Sequence, residues 1–179
     1  KEKEFHNWAW TLVGALYVGW MLSYWLNLRG LENGSEYGRN WIYLAMLTTF
    51  ANDTGAFFIG KARGKRRLAP VISPSKTWEG AIGGLICAIL AAIVIALVLK
   101  LISLKLDSPF AFKYWQITLL GFLIGLFAQL GDLVESLLKR NTGVKESGNL
   151  LPGHGGILDR FDSLIFVGAV VYYYVIWVV

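Results

Sequence analysis

The 179-residue chain holds one cysteine and two histidines, and only 16% of it is charged. The single thiol, Cys87, lies inside an apolar run; it excludes an intrachain disulfide and reads as a small buried hydrophobe. With His6 near a helix start and His154 in a loop as the two imidazoles, a thiolate or histidine zinc centre is excluded as well. A soluble domain of this length would carry about 25% charged residues, so the scarcity of charge argues against one. No stretch has the spacing Gly-x-x-x-x-Gly-Lys-[Ser/Thr], which removes ordinary P-loop nucleotide hydrolysis. The chain opens at Lys1 without a signal-peptide pattern, and we expect the C-terminal part of a longer chain. Low-complexity segments and long linkers are also missing, so residues 1–179 read as a single transmembrane domain.

What fills the sequence is hydrocarbon. Hydrophobic residues make up 55%, gathered in runs of about 18 or more, the length of a membrane span. The expected fold class is all-α, a polytopic transmembrane helical bundle of about five spans: Trp8–Leu28, Trp41–Ile59, Trp78–Leu104, Trp115–Leu138 and Phe161–Val179. Trp8, Trp41, Trp78, Trp115 and Trp177 fall near span ends, as an interfacial aromatic belt would place them. Twelve of the 17 basic residues lie at the amino terminus or in the connections after spans two and four. That asymmetry puts those segments in the cytoplasm, and it explains the basic balance without nucleic acid. Both connections are rich in Gly, Pro, Ser and Lys and are expected to be irregular. Gly80 and Gly84, and again Gly121 and Gly125, are spaced for close helix approach within or between subunits.

Acids inside such spans are costly and so mark function. Asp53 and Asp132 each precede the end of their span by about six residues, roughly 9 Å of helix, on the same side of the membrane. On span four, Asp132, Glu135, Ser136 and Lys139 share one helical face; Asp159, Asp162 and Ser163 repeat the spacing at the start of span five. Two faces of the form Asp-x-x-[Asp/Glu]-Ser, set opposite each other with Asp53 nearby, would gather five carboxylates. Such an oxygen cluster suits Mg²⁺ or Mn²⁺, with room for a second cation. Structural pairing with Lys139, Arg140 or Arg160 is the alternative.

Two loops have the makings of phosphate sites. "ISPSKTWEG" places Ser73, Ser75, Lys76 and Thr77 at the start of span three, where free N–H groups attract anions; a Ser-Pro turn with a helix cap is the plainer account. "PGHGGILD" opens span five with Gly153, Gly155 and Gly156 around His154. Lys139, Arg140, Lys145 and Arg160 ring the carboxylates, and cations beside a metal cluster make sense with a polyanion between them.

The stretch "SLLKRNTGVKESGNLLPGHGGILDRFD", Ser136 to Asp162, closely resembles the defining segment of the phosphatidate cytidylyltransferases, or CDP-diacylglycerol synthases. That segment runs Ser-x-x-Lys-Arg, four residues, Lys-Asp, and ends Pro-x-His-Gly-Gly-x-x-Asp-Arg-x-Asp. "GDLVES", "SPSKTWEG" and "NDTGAFF" resemble other recurring blocks of the family. The chain departs from the pattern at Glu146, where the family usually has Asp.

The resemblance implies transfer of CMP from CTP to phosphatidate, giving CDP-diacylglycerol and pyrophosphate, in a bacterial cytoplasmic membrane with the site facing the cytoplasm. It also implies a homodimer. The expected catalytic residues are Asp132, Lys139, Arg140, Asp159 and Arg160. Substrate binding falls to Asp53, Ser73, Lys76, Ser136, Lys145, His154, Gly155 and Gly156, and metal binding to Asp132, Glu135, Asp159 and Asp162. The rivals are a CTP-dependent polyprenol-type lipid kinase, disfavoured by the Pro-x-His-Gly-Gly ending, and a cation- or proton-coupled transporter. A transport path would need acids reaching the far side of the membrane.

Overall fold

The structure, a computed structural model, describes residues 2–31, 35–105, 110–141, 143 and 158–179, with backbone alone for 2–7, 9, 10, 13, 17, 35 and 158–160. Among the described residues there are five helices and one hairpin: α1 (Glu2–Arg29), α2 (Ser35–Arg63), β1 (Arg67–Ala69), β2 (Ser73–Thr77), α3 (Trp78–Lys105), α4 (Tyr114–Asn141) and α5 (Leu158–Val178). The all-α expectation holds, one helix per predicted span. α2 and α4 run on past the predicted ends to Arg63 and Asn141, into their basic last turns. Positive charge there is favourable at the negative end of the helix dipole.

Local chemistry sets the helix starts. Thr77 is buried and its Oγ1 accepts the Gly80 N–H at 3.2 Å, an N-cap for α3. At α4, Gln116 Oε1 accepts the Lys113 N–H at 2.7 Å while its Nε2 donates to the Val178 carbonyl at 2.6 Å, fastening the start of α4 to the end of α5.

α3 shows how sequence becomes packing. Ala88, Ala92, Ala96 and Leu99 line its buried face, and Ile82, Ile86, Leu90, Val94 and Val98 its exposed one. Small residues inside and branched residues outside are what a helix needs to approach neighbours closely and face lipid. A Cβ on Gly121 of α4 would stand 2.8 Å from Ala92 Cβ and 3.0 Å from Ile89 Cα. The two backbones therefore touch with no side chain between them. α3, α4 and the Phe161–Val178 portion of α5 are each long and apolar enough to cross a membrane, and this is a membrane protein. α1 and α2 match them in length but carry more polar residues.

The bundle is divided along its axis. The apolar core joins Leu28 of α1, Trp41 and Leu44 of α2, Ala92 and Ala96 of α3, Ile117 to Ala128 of α4 and Val167 to Val175 of α5. Trp41 meets Phe110 edge-on at 4.8 Å. These are the early part of α2 and α4 and the late part of α3 and α5, so they gather at one end. The opposite end holds the polar residues and the hairpin.

That hairpin corrects the expectation of an irregular connection. β1 and β2 pair antiparallel, with Arg67 opposite Thr77 and Ala69 opposite Ser73. Its strands are short and β2 is polar, without the alternating apolar pattern that announces a strand in sequence. Docking holds it instead. Glu79 accepts the N–H groups of Lys65 (3.0 Å) and Arg66 (3.2 Å), Trp78 N donates to the Arg66 carbonyl (3.0 Å), and Arg140 Nε donates to the Ile72 carbonyl (3.3 Å).

Candidate active site

Between the hairpin and the helices lies a cavity of about 730 Å³. Its helical wall carries Asp53 from α2, Asp132 from α4 and Asp162 from α5, with Asn52, Gln129 and Ser163 among them. Its other wall carries Lys61 from the last turn of α2, Arg67 from β1 and Ser75, Lys76 and Thr77 from β2. Acids thus come from within α2 and α4 and from the start of α5, and cations from the hairpin and the last turn of α2.

Each acid has a defined partner. Lys76 Nζ lies 2.6 Å from Asp132 Oδ2, tying β2 to α4, with both side chains partly exposed. Ser136, one turn on, points its hydroxyl at Asp132 Oδ1 at 3.5 Å. Asn52 Nδ2 donates to Asp53 Oδ1 at 2.9 Å. Asp162 Oδ1 accepts the Ser163 N–H and Oγ–H at 2.6 and 3.3 Å. α5 can bring Asp162 so close to α4 because Gly131 has no side chain there: a Cβ would lie 2.6 Å from the Asp162 carbonyl oxygen. The three carboxylates share one wall of the cavity, and Lys76 is paired with one of them.

The donor set is oxygen throughout, carboxylates with an amide and hydroxyls, which is the chemistry of a hard cation such as Mg²⁺. Among the described residues, no three of His, Cys, Asp and Glu stand close enough to hold one ion together. A Mg²⁺ taking one or two carboxylates and completing its shell with water and substrate phosphates fits these residues.

The expected site residues divide into three groups. Asp53, Lys76, Asp132 and Asp162 meet at the cavity. Glu135 does not line it: the side chain is fully buried and pairs with Lys139 at 2.5 Å, an i,i+4 contact along α4. Arg140 reaches the hairpin carbonyl of Ile72, and Ser73 sits in β2 outside the cavity lining. Asp159 and Arg160 lie in the first turn of α5, where the structure describes the backbone alone, and Lys145, Glu146, His154, Gly155 and Gly156 lie outside the described residues. The sequence reading passed over Asn52, Gln129, Lys61 and Arg67 as site residues. Gln129 is three residues before Asp132 and so on its face of the helix, a signal available in the sequence.

The chain matches the family model for the cytidylyltransferase family over residues 1–178. Among curated relatives, a phosphatidate cytidylyltransferase of Bacillus subtilis (strain 168) is 43% identical over 161 residues, covering 90% of this chain and 55% of the relative. One of Staphylococcus haemolyticus (strain JCSC1435) is 44% identical over 164 residues, 92% of this chain and 57% of the relative. One of Staphylococcus aureus (strain COL) is 43% identical over 166 residues, again 92% and 57%. The chain spans about half the length of the curated relatives it matches. A match that runs almost from end to end, over both walls of the cavity, makes the chain a member of the cytidylyltransferase family.

Proposed function

We propose that this chain carries the catalytic site of a phosphatidate cytidylyltransferase, which transfers CMP from CTP to phosphatidate and releases pyrophosphate. The observation that carries the proposal is the two-walled cavity, with three helix-borne carboxylates facing Lys61, Arg67 and Lys76. Phosphoryl-type transfer needs positioning and charge neutralisation more than covalent help. The phosphate of phosphatidate is itself the nucleophile: its oxygen bonds to the CTP α-phosphorus as the bond to the bridging oxygen breaks and pyrophosphate departs. The hairpin cations would hold the triphosphate, with Arg140, Lys139 and Arg160 near the departing pyrophosphate. Asp132 and Asp162, with Asp159, would hold Mg²⁺ or Mn²⁺, which neutralises charge on the reacting phosphates. Lys145, His154, Gly155 and Gly156, in the connection before α5, would bind substrate. In the bilayer we place five spans, the cavity at the cytoplasmic end, and a homodimer; the lipid enters sideways between helices and CTP from the cytosol.

The test is ³¹P NMR of CTP turnover by the full-length protein in detergent, with Mg²⁺, phosphatidate and a polyprenol present. Pyrophosphate together with a lipid diphosphate signal is expected; CDP with a new lipid monophosphate would replace the proposal with a lipid kinase. Asp132→Asn and Asp159→Asn should each abolish turnover in folded protein, and near-normal activity in either would remove the metal assignment. Chelation by EDTA should stop the reaction, and added Mg²⁺ should restore it.

A further inference from the structure

Three helices meet beside the cavity at a chain of side-chain amides. Gln129 of α4 donates from Nε2 to the Ala81 carbonyl of α3 at 2.9 Å and to Asn52 Oδ1 of α2 at 3.1 Å. Asn52 is fully buried, and its Nδ2 donates to Asp53 Oδ1 at 2.9 Å.

The direction of this chain is forced from its backbone end. A carbonyl of the main chain can only accept, so Gln129 must turn its nitrogen toward Ala81. The second hydrogen on that nitrogen then requires an acceptor, so Asn52 must present its oxygen. Its amide nitrogen is left to face Asp53. Reversing any one amide would set two acceptors or two donors against each other in a buried place, which is costly. The neighbouring helices leave room for this arrangement. A Cβ on Gly84 would lie 3.0 Å from Asn52 Oδ1, and one on Gly125 would lie 3.4 Å from the same atom.

We propose that Gln129 is a positioning residue for the reaction: acting through Asn52, it fixes the rotation of the Asp53 carboxylate in the cavity. The inference rests on the cytidylyltransferase reading above and adds to it a residue that acts through its neighbour.

A double-mutant cycle in the full-length enzyme tests it, using Gln129→Met, Asp53→Asn and their combination, with kcat and KM for CTP and phosphatidate measured separately. Gln129→Met should lower kcat/KM by about tenfold, within the range of coupling energies for residues sharing one network. It should divide that loss between kcat and KM as Asp53→Asn does, and add nothing in the Asp53→Asn background. Gln129→Glu, which keeps the volume but loses the donors, should behave like Gln129→Met. Additive losses, or wild-type kinetics in Gln129→Met, would overturn the inference while leaving the functional reading standing. Failure of both Gln129 variants to fold would overturn it too, since the residue would then be a structural strut. A wild-type enzyme without cytidylyl transfer would overturn the functional reading itself.

Discussion

Replacing Gly84 by alanine adds one methyl group where α2 and α3 cross. The new Cβ would stand 2.8 Å from the Asn52 carbonyl oxygen, 2.9 Å from Ala56 Cβ and 3.0 Å from Asn52 Oδ1. Two of those atoms belong to backbone or to a β-carbon, which cannot swing aside, so the helices must separate. Overpacking of this kind costs about 1–3 kcal/mol. Asn52 Oδ1 is also the acceptor for Gln129 at 3.1 Å, and losing that bond adds about 1 kcal/mol. Against this, alanine favours a helix over glycine by about 0.5–1 kcal/mol. The net expectation is a loss of about 1–3.5 kcal/mol, roughly a 5- to 300-fold shift in the unfolding equilibrium. Gly14 and Gly19 of α1 provide the matched control, because a Cβ at either meets nothing within 4 Å. Alanine there should leave stability unchanged or raise it. The eight tryptophans allow unfolding to be followed by intrinsic fluorescence in detergent, by heat or by SDS titration. A Gly84→Ala protein as stable as wild type would refute the reasoning, because the crossing would then have slack that these distances deny.

Two further substitutions probe how the hairpin is held. Lys76→Met should lower stability by about 1–2 kcal/mol, between the limits for exposed and buried ion pairs, and the loss should shrink when Asp132→Asn is added; a double mutant worse than the sum of the two would contradict the pairing. Glu79→Gln weakens the acceptor for the Lys65 and Arg66 N–H groups, so trypsin should cut at those two residues several-fold faster, read on a gel time course. An unchanged cleavage rate would show that the turn is held by other contacts.

The sequence made the helices legible because long apolar runs leave a chain in lipid few choices. The acids at Asp53, Asp132 and Asp162 were legible for the same reason, since charge in such runs demands an explanation. Glu135 shares its helical face with Asp132, yet it pairs with Lys139. Periodicity places a side chain on a face; it does not say which neighbour four residues on will claim it. The hairpin went unseen because its strands are set by docking on Glu79 and Arg140, contacts that link residues far apart in the chain. Gln129 went unseen because a lone glutamine has no signature, and its meaning comes from a carbonyl on another helix.

The axial separation of apolar core from polar cavity bears on how such a protein can change over generations. Side chains that hold the helices together, such as Trp41, Ile124 and Val171, lie away from those that line the cavity. A substitution in the cavity wall away from Lys76 and the Asn52–Gln129 contact therefore draws little on the stability reserve that most mutations deplete. The cavity lining can drift at one end of the bundle while the other keeps descendants folded, and one scaffold can host several different sites without losing its shape.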